Sequence, residues 1–117
     1  MGIEVNNFFS IVEVPNGNKE LFETLLEGKG FHIERIISAG QTTPVHEWYE
    51  QAKNEWVLLL QGNAILEWEN EDITHLKAGD FLHIPAGKKH RVAYTSKNPH
   101  CIWLAIHYQS DALCAKT

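Results

Sequence analysis

Cysteine is scarce: 2 in 117 residues, Cys101 and Cys114. Two are too few for a disulfide framework, and Cys114 sits in a polar tail. Basic side chains are also short, with 10 Lys+Arg against 15 Asp+Glu and a formal net charge of -5. The sequence pI is near 5.7. Phosphate backbones and anionic membrane surfaces are bound by clustered Lys and Arg, so nucleic acid and membrane are excluded as partners. No long hydrophobic run exists. The longest, Trp56 to Leu60, falls far short of the roughly 20 residues of a membrane span. The start, MGIEVNNFF, lacks both the basic region and the long apolar stretch of a signal peptide, so a cytoplasmic protein is expected. Also absent are a Gly-x-Ser-x-Gly elbow, a P-loop, a dinucleotide fingerprint and a Cys-x-x-Cys pair.

What is present suits one domain over residues 1–117. The chain is 44% hydrophobic, with 4 Trp. A chain of this size can bury about two thirds of its unfolded surface, enough for one core without staples. Within residues 1–30, an arm precedes the segment KELFETLLEG. Leu21, Phe22, Leu25 and Leu26 fall on one side of a 3.6-residue period, with Asn18 as cap and Gly28 as stop. This predicts one short N-terminal helix of about two turns.

From Phe31 the pattern changes to short apolar segments: FHIERIIS, WVLLL, AILEWE, ITHL, DFLHIP, HRVAYT and CIWLAIHY. Turn clusters separate them, and no helical periodicity lies between them. An all-β sandwich or barrel with a core over about 31–108 is expected, with a frayed tail at 110–117.

Two spacings carry chemistry. Gly79, five residues, Pro85-x-Gly87, two residues and His90 form one. Gly40, five residues and His46, then Glu55, six residues and Gly62, form the other. Together they resemble the paired motifs of the cupin superfamily, and the full chain is similar to small single-domain cupins of unassigned function. The resemblance implies an antiparallel jelly-roll β-barrel whose mouth carries His and Glu side chains. It also implies a divalent transition metal (Zn, Fe, Ni or Mn), a small-molecule ligand or substrate, and a homodimer. The apolar strand WVLLL and the tryptophans suit a partner surface.

The first motif departs from the family pattern of His-x-His, three or four residues, Glu. Counting forward from Gly40 gives His46-x-Trp48; counting back from Glu55 gives Tyr49-x-Gln51. The counts disagree by three residues, so the segment holds an insertion or a shifted register. The family's trailing Asn position in the second motif holds Tyr94.

Two readings stay open. In one, His46, Glu55 and His90 bind metal with Gln51 as a fourth ligand or supporting hydrogen bond, and the protein is a metal-dependent enzyme on a small organic substrate. In the other, the site has lost its His pair and the barrel is a non-catalytic binding module. Trp48, Tyr49, Tyr94 and His107 are candidate pocket walls; His32, His75 and His100 are expected at the surface.

Overall fold

The computed structural model describes residues 2–110. Eight strands follow one another: β1 (Leu21–Gly28), β2 (Phe31–Ser38), β3 (Asn54–Gln61), β4 (Asn63–Trp68), β5 (Ile73–Lys77), β6 (Phe81–Ile84), β7 (His90–Thr95) and β8 (Cys101–Tyr108). They form a five-stranded sheet, β1-β2-β8-β3-β6, and a three-stranded sheet, β5-β4-β7. Every pairing is antiparallel. Among the described residues no helix is long and apolar enough to cross a membrane. Apart from Ser110, the expected frayed tail lies outside the described residues.

The helix expected over 19–28 is not formed; that stretch is β1. It pairs with β2 from Leu21↔Ile37 to Gly28↔Phe31, turning through Lys29 and Gly30. Three features override the helical spacing. The edge of β2 supplies pairing partners from Leu21 to Gly28, with one irregularity between Thr24 and Leu26. Arg35 clamps Glu23 across the strands, with Nε and Nη2 each donating at 2.9 Å. The Phe31 ring fills the space beside Gly28 that a side chain would take. Gly28 is thus a landing site for an aromatic ring, not a helix stop, and tertiary pairing outweighs local propensity.

Alternation along the strands builds the interior. Glu55, Val57 and Leu59 of β3 are buried, while Trp56, Leu58 and Leu60 are half-buried on the outer face. Ile36, Val57, Leu59, Leu66, Ile84, Val92 and Trp103 belong to one core cluster between the sheets. The core lies low in the barrel. Towards the mouth the inward positions turn polar.

Gly62 joins β3 to β4 at a φ of 94°. A Cβ there would lie 2.8 Å from Cys101 Sγ and Ser96 Oγ, and 3.0 Å from Cys101 Cα. Gly79 has nearly the same backbone, φ 95°, with nothing within 4 Å. The two separate backbone strain from packing. Gly79→Ala is expected to cost about 1–2 kcal/mol, the left-handed penalty alone. Gly62→Ala adds overpacking against buried groups and is expected to cost about 3 kcal/mol or more. Urea denaturation measures both, and equal costs would contradict the close approach at Gly62.

Candidate functional site

Four strands each place a polar side chain two residues from an apolar one on the same inward face. The pairs are Glu34 and Ile36 on β2, Glu55 and Val57 on β3, His90 and Val92 on β7, and His107 and Ala105 on β8. All of these but Ala105 line a cavity of about 110 Å³. Register fixes who meets whom. His107 lies opposite His32 on one side and opposite Glu55 on the other. His90 enters from the other sheet. The floor is apolar, closed by Leu66, Ile84 and Trp103. A cavity of this size holds a few water-sized groups, which limits any enclosed ligand to a small one.

Two further walls come from outside the eight strands. The segment before β3 is tied to the second motif: Tyr49 and His90 exchange backbone hydrogen bonds at 2.7 and 3.1 Å, and Gly87 N donates to Gln51 O at 2.9 Å. Tyr49 and Gln51 therefore face the cavity beside His90. The arm before β1 is held by Gln41, whose Nε2 donates to Gly17 O at 2.9 Å and Pro15 O at 3.2 Å. That arm delivers Glu20 to the cavity. Glu20 accepts from Ser38 Oγ, and Ser38 Oγ in turn accepts from Trp103 Nε1 at 3.0 Å. Burial holds the Glu20 carboxyl above its usual range; the Ser38 bond works the other way, and the charges of Glu55 and Glu34 add to the rise.

The polar groups form a connected set. Gln51 Nε2 donates to Glu55 Oε1 at 2.7 Å. His107 Nε2 stands 2.7 Å from Glu34 Oε1 and 3.9 Å from Glu55 Oε2. Burial alone would lower the His107 pKa, but the Glu34 hydrogen bond and the charges of Glu55 and Glu34 outweigh it, so the pKa rises. His32 stacks on His107 with ring centroids 4.3 Å apart and planes 12° from parallel. Its own pKa falls, through burial first and then the charge on His107. The arrangement is a hydrogen-bonded His107–Glu34 pair that favours the protonated imidazole, with a second ring lying on it that burial pushes the other way. His90 is set differently. Its Nδ1 lies 3.1 Å from Lys88 O. A carbonyl only accepts, so Nδ1 carries the proton and Nε2 keeps a lone pair.

Of the four residues expected to bind metal, Gln51, Glu55 and His90 come together at the cavity, and His46 does not line it. His46 sits exposed in the Pro44–Glu47 turn with φ 74°. This turn absorbs the three extra residues that made the two sequence counts disagree, so the count back from Glu55 gives the inward register. Of the expected walls, Tyr49 and His107 line the cavity and Trp48 does not. Tyr94 is 47% exposed and lies beside Asn63, Ile65 and His75 in an outer groove. Sequence reasoning missed Glu20, Glu34 and His32. The alternation His32-x-Glu34-x-Ile36 carried the signal for two of them; Glu20 had none.

Among the described residues, His32, Glu34 and His107 are the one group of three His, Cys, Asp or Glu whose ligating atoms all lie within 4.8 Å of one another. They form a candidate cation cluster. In nearly parallel rings, however, the in-plane lone pairs run side by side, and His107 Nε2 already donates to Glu34.

The raised His107 pKa has a consequence for stability. A base whose folded pKa lies above its usual 6.5 adds stability that is complete below that value and is lost as pH rises through the folded pKa. His32 has the opposite sign. The stability gap between the protein and His107→Gln is expected to be largest near about pH 6 and to shrink towards about pH 9. Thermal melts across that range measure it, and a gap that widens with pH would contradict the Glu34 pairing.

Comparison with known proteins agrees with this architecture. Residues 34–107 match the cupin domain family. No curated protein matches the sequence. A Ralstonia eutropha protein, provisionally named a mannose-6-phosphate isomerase, is 40% identical; the match covers 92% of this chain and 100% of that one, with a TM-score of 0.85. A cupin superfamily protein from Desulfitobacterium hafniense is 19% identical, covering 94% and 95% of the two chains, with a TM-score of 0.73. An RmlC-like cupin from Desulfovibrio desulfuricans is also 19% identical, covering 91% and 97%, with a TM-score of 0.67. The last two share the fold alone. With the family match spanning most of its strands and a 40% identical neighbour over nearly its whole length, this chain belongs to the cupin family.

Proposed function

We propose that this cupin binds a divalent transition metal at the mouth of its barrel and acts on a small organic molecule there. The observation that carries the reading is charge. Glu20, Glu34 and Glu55 converge on one small cavity, no Lys or Arg is among the described residues that line it, and His107 is the one group there whose pKa is shifted towards a cation. Enclosed carboxylates need a proton or a cation to balance them. Glu55 and the lone pair of His90 Nε2 are the donors, with Gln51 Oε1 as a third, since its Nε2 is spent on Glu55. The His90 Nδ1 bond to Lys88 O gives the backing that a ligating imidazole usually has. One imidazole among oxygen donors suits manganese or iron better than a closed zinc site.

Such an ion supplies Lewis-acid polarisation of a substrate oxygen. The protein's own groups do the rest. His107, held towards its protonated form by Glu34, can give a proton to a substrate oxygen and take it back. Ile84, Leu66 and Trp103 exclude water from the floor. The isomerase name of the Ralstonia eutropha neighbour fits acid–base chemistry of this kind. A second reading, a binding module without chemistry, draws support from the Gln51–Glu55 bond, which satisfies one carboxylate oxygen without an ion.

Metal analysis separates the two. Protein loaded with manganese or iron and then desalted is expected to hold a near-stoichiometric ion. His90→Ala and Glu55→Gln are expected to weaken binding by roughly tenfold or more, while His46→Ala and His32→Ala retain it. Folded protein that takes up no ion would give the binding-module reading the field.

The same proposal includes a second copy of the chain. The outer face of the five-stranded sheet carries two apolar cross-strand rows, Phe81–Leu58–Leu104 and Trp56–Ile106, with Phe81 64% exposed. An apolar face of this kind suits an isologous partner. Light scattering is expected to give a dimer mass for the protein and a monomer mass for Leu58→Glu with unchanged β-sheet circular dichroism. A monomer before mutation would remove the dimer.

A further inference from the structure

Phosphate groups are recognised by bidentate arginine, by lysine as a point charge, or by helix N-termini. Among the described residues none of these faces the cavity. The chain has two arginines, and both are committed elsewhere. Arg35 holds Glu23 through Nε and Nη2 and donates to Phe8 O at 2.9 Å. Arg91 donates to Glu67 at 2.6 Å and to Thr43 O at 2.9 Å. Among the described residues the regular elements are all strands, so no helix terminus substitutes.

The way in is no more hospitable to an anion. A groove of about 350 Å³ between the arm and the 41–49 loop shares Glu20, Phe22 and Tyr49 with the cavity. Its single lysine, Lys19, is offset by Glu20 and Glu47. Glu20 belongs to both spaces, and it differs from the other two cavity carboxyls. Glu34 has His107 and Glu55 has the Gln51 amide, whereas Glu20 has only the Ser38 hydroxyl. Among the described residues it has no cationic partner. Glu20 also lies outside the stretch that matches the family, residues 34–107, so its charge is an addition of the arm.

We infer that the cavity takes a small uncharged hydroxy or carbonyl compound and rejects the phosphorylated form of the same compound, with Glu20 as the residue that sets this selection. The inference rests on the reading of the cavity as a small-molecule site. Uncharged follows from the lining: three carboxyl side chains face the space an anionic group would enter, and no Lys or Arg is among the described residues there to hold it. The phosphate in the name of the Ralstonia eutropha neighbour therefore finds no counterpart among the groups lining this cavity.

Two matched pairs of probes test it: dihydroxyacetone with its phosphate, and mannose with mannose 6-phosphate. Binding is followed by calorimetry on manganese-loaded and on chelator-treated protein. At least one uncharged member is expected to bind at millimolar concentration, and its phosphorylated partner at least tenfold more weakly. Added salt is expected to narrow that gap by screening. Glu20→Gln, which keeps the size of the side chain and the acceptor for Ser38, is expected to narrow it several-fold, with Glu69→Gln as an unaffected control. A phosphorylated probe that binds as tightly as its partner overturns the inference. So does failure of both uncharged probes to bind, or a gap that Glu20→Gln leaves unmoved. The metal content of the same samples keeps the two proposals apart. Metal-free protein that still prefers the uncharged probe preserves this inference and drops the ion. Metal-loaded protein that prefers the phosphate does the reverse.

Discussion

The cavity depends on the register of β8 between its two neighbours. His107 meets His32 across one ladder and Glu55 across the other. Side chains alternate with a period of two, so a one-residue slip would send His107 outward and bring Ile106 in. The apolar layer below guards against the slip. Trp103 and Ala105 are buried on the same face as His107, and any slip that exposes His107 exposes them too. The hydrophobic core therefore aims the polar layer. The ion pair needs no separate device to position it.

The polar layer carries a cost that its internal bonds only partly offset. Charge-assisted hydrogen bonds contribute about 1.5–3 kcal/mol, and the cavity has one between His107 and Glu34. Desolvating carboxylates works against that gain, and Glu20 registers the balance through its raised pKa. A fold selected for stability alone would fill these positions with aliphatic residues, as it does two residues away on each strand. Retaining three carboxyls there points to a use. Among the uses open to them, holding a cation relieves the cost directly.

Much of the fold was legible because its signals were local. Turn clusters and alternating apolar segments marked seven of the eight strands, and the glycine and proline spacing marked the family. β1 was not legible: Leu21, Phe22, Leu25 and Leu26 fit a helical face, and what decided against a helix was a partner edge and Arg35 across the ladder. The site divided in the same way. Gln51, Glu55 and His90 follow from motif spacing once the Pro44–Glu47 turn is known to loop outward. His46 was misdirected by the same turn, because a forward count from Gly40 cannot see where the chain leaves the strand. Glu34 and His32 needed the β2–β8 pairing to gain meaning, and Glu20 needed Gln41 to fasten the arm. Contacts across such sequence separations leave no periodicity to read.

The family's fold and this chain's chemistry separate along that line. The motif residues deliver one imidazole, one carboxylate and one carboxamide where the usual pattern would deliver several imidazoles. The missing imidazoles are not replaced within the motif. Histidine reappears instead on β8 and β2, locked into a pair with Glu34, and a third carboxyl arrives from the arm. His107 and Glu34 line the same cavity as Gln51, Glu55 and His90. The side chains that the motif supplies and the His107–Glu34 pair on the neighbouring strands thus meet in one cavity, which the motif alone does not define.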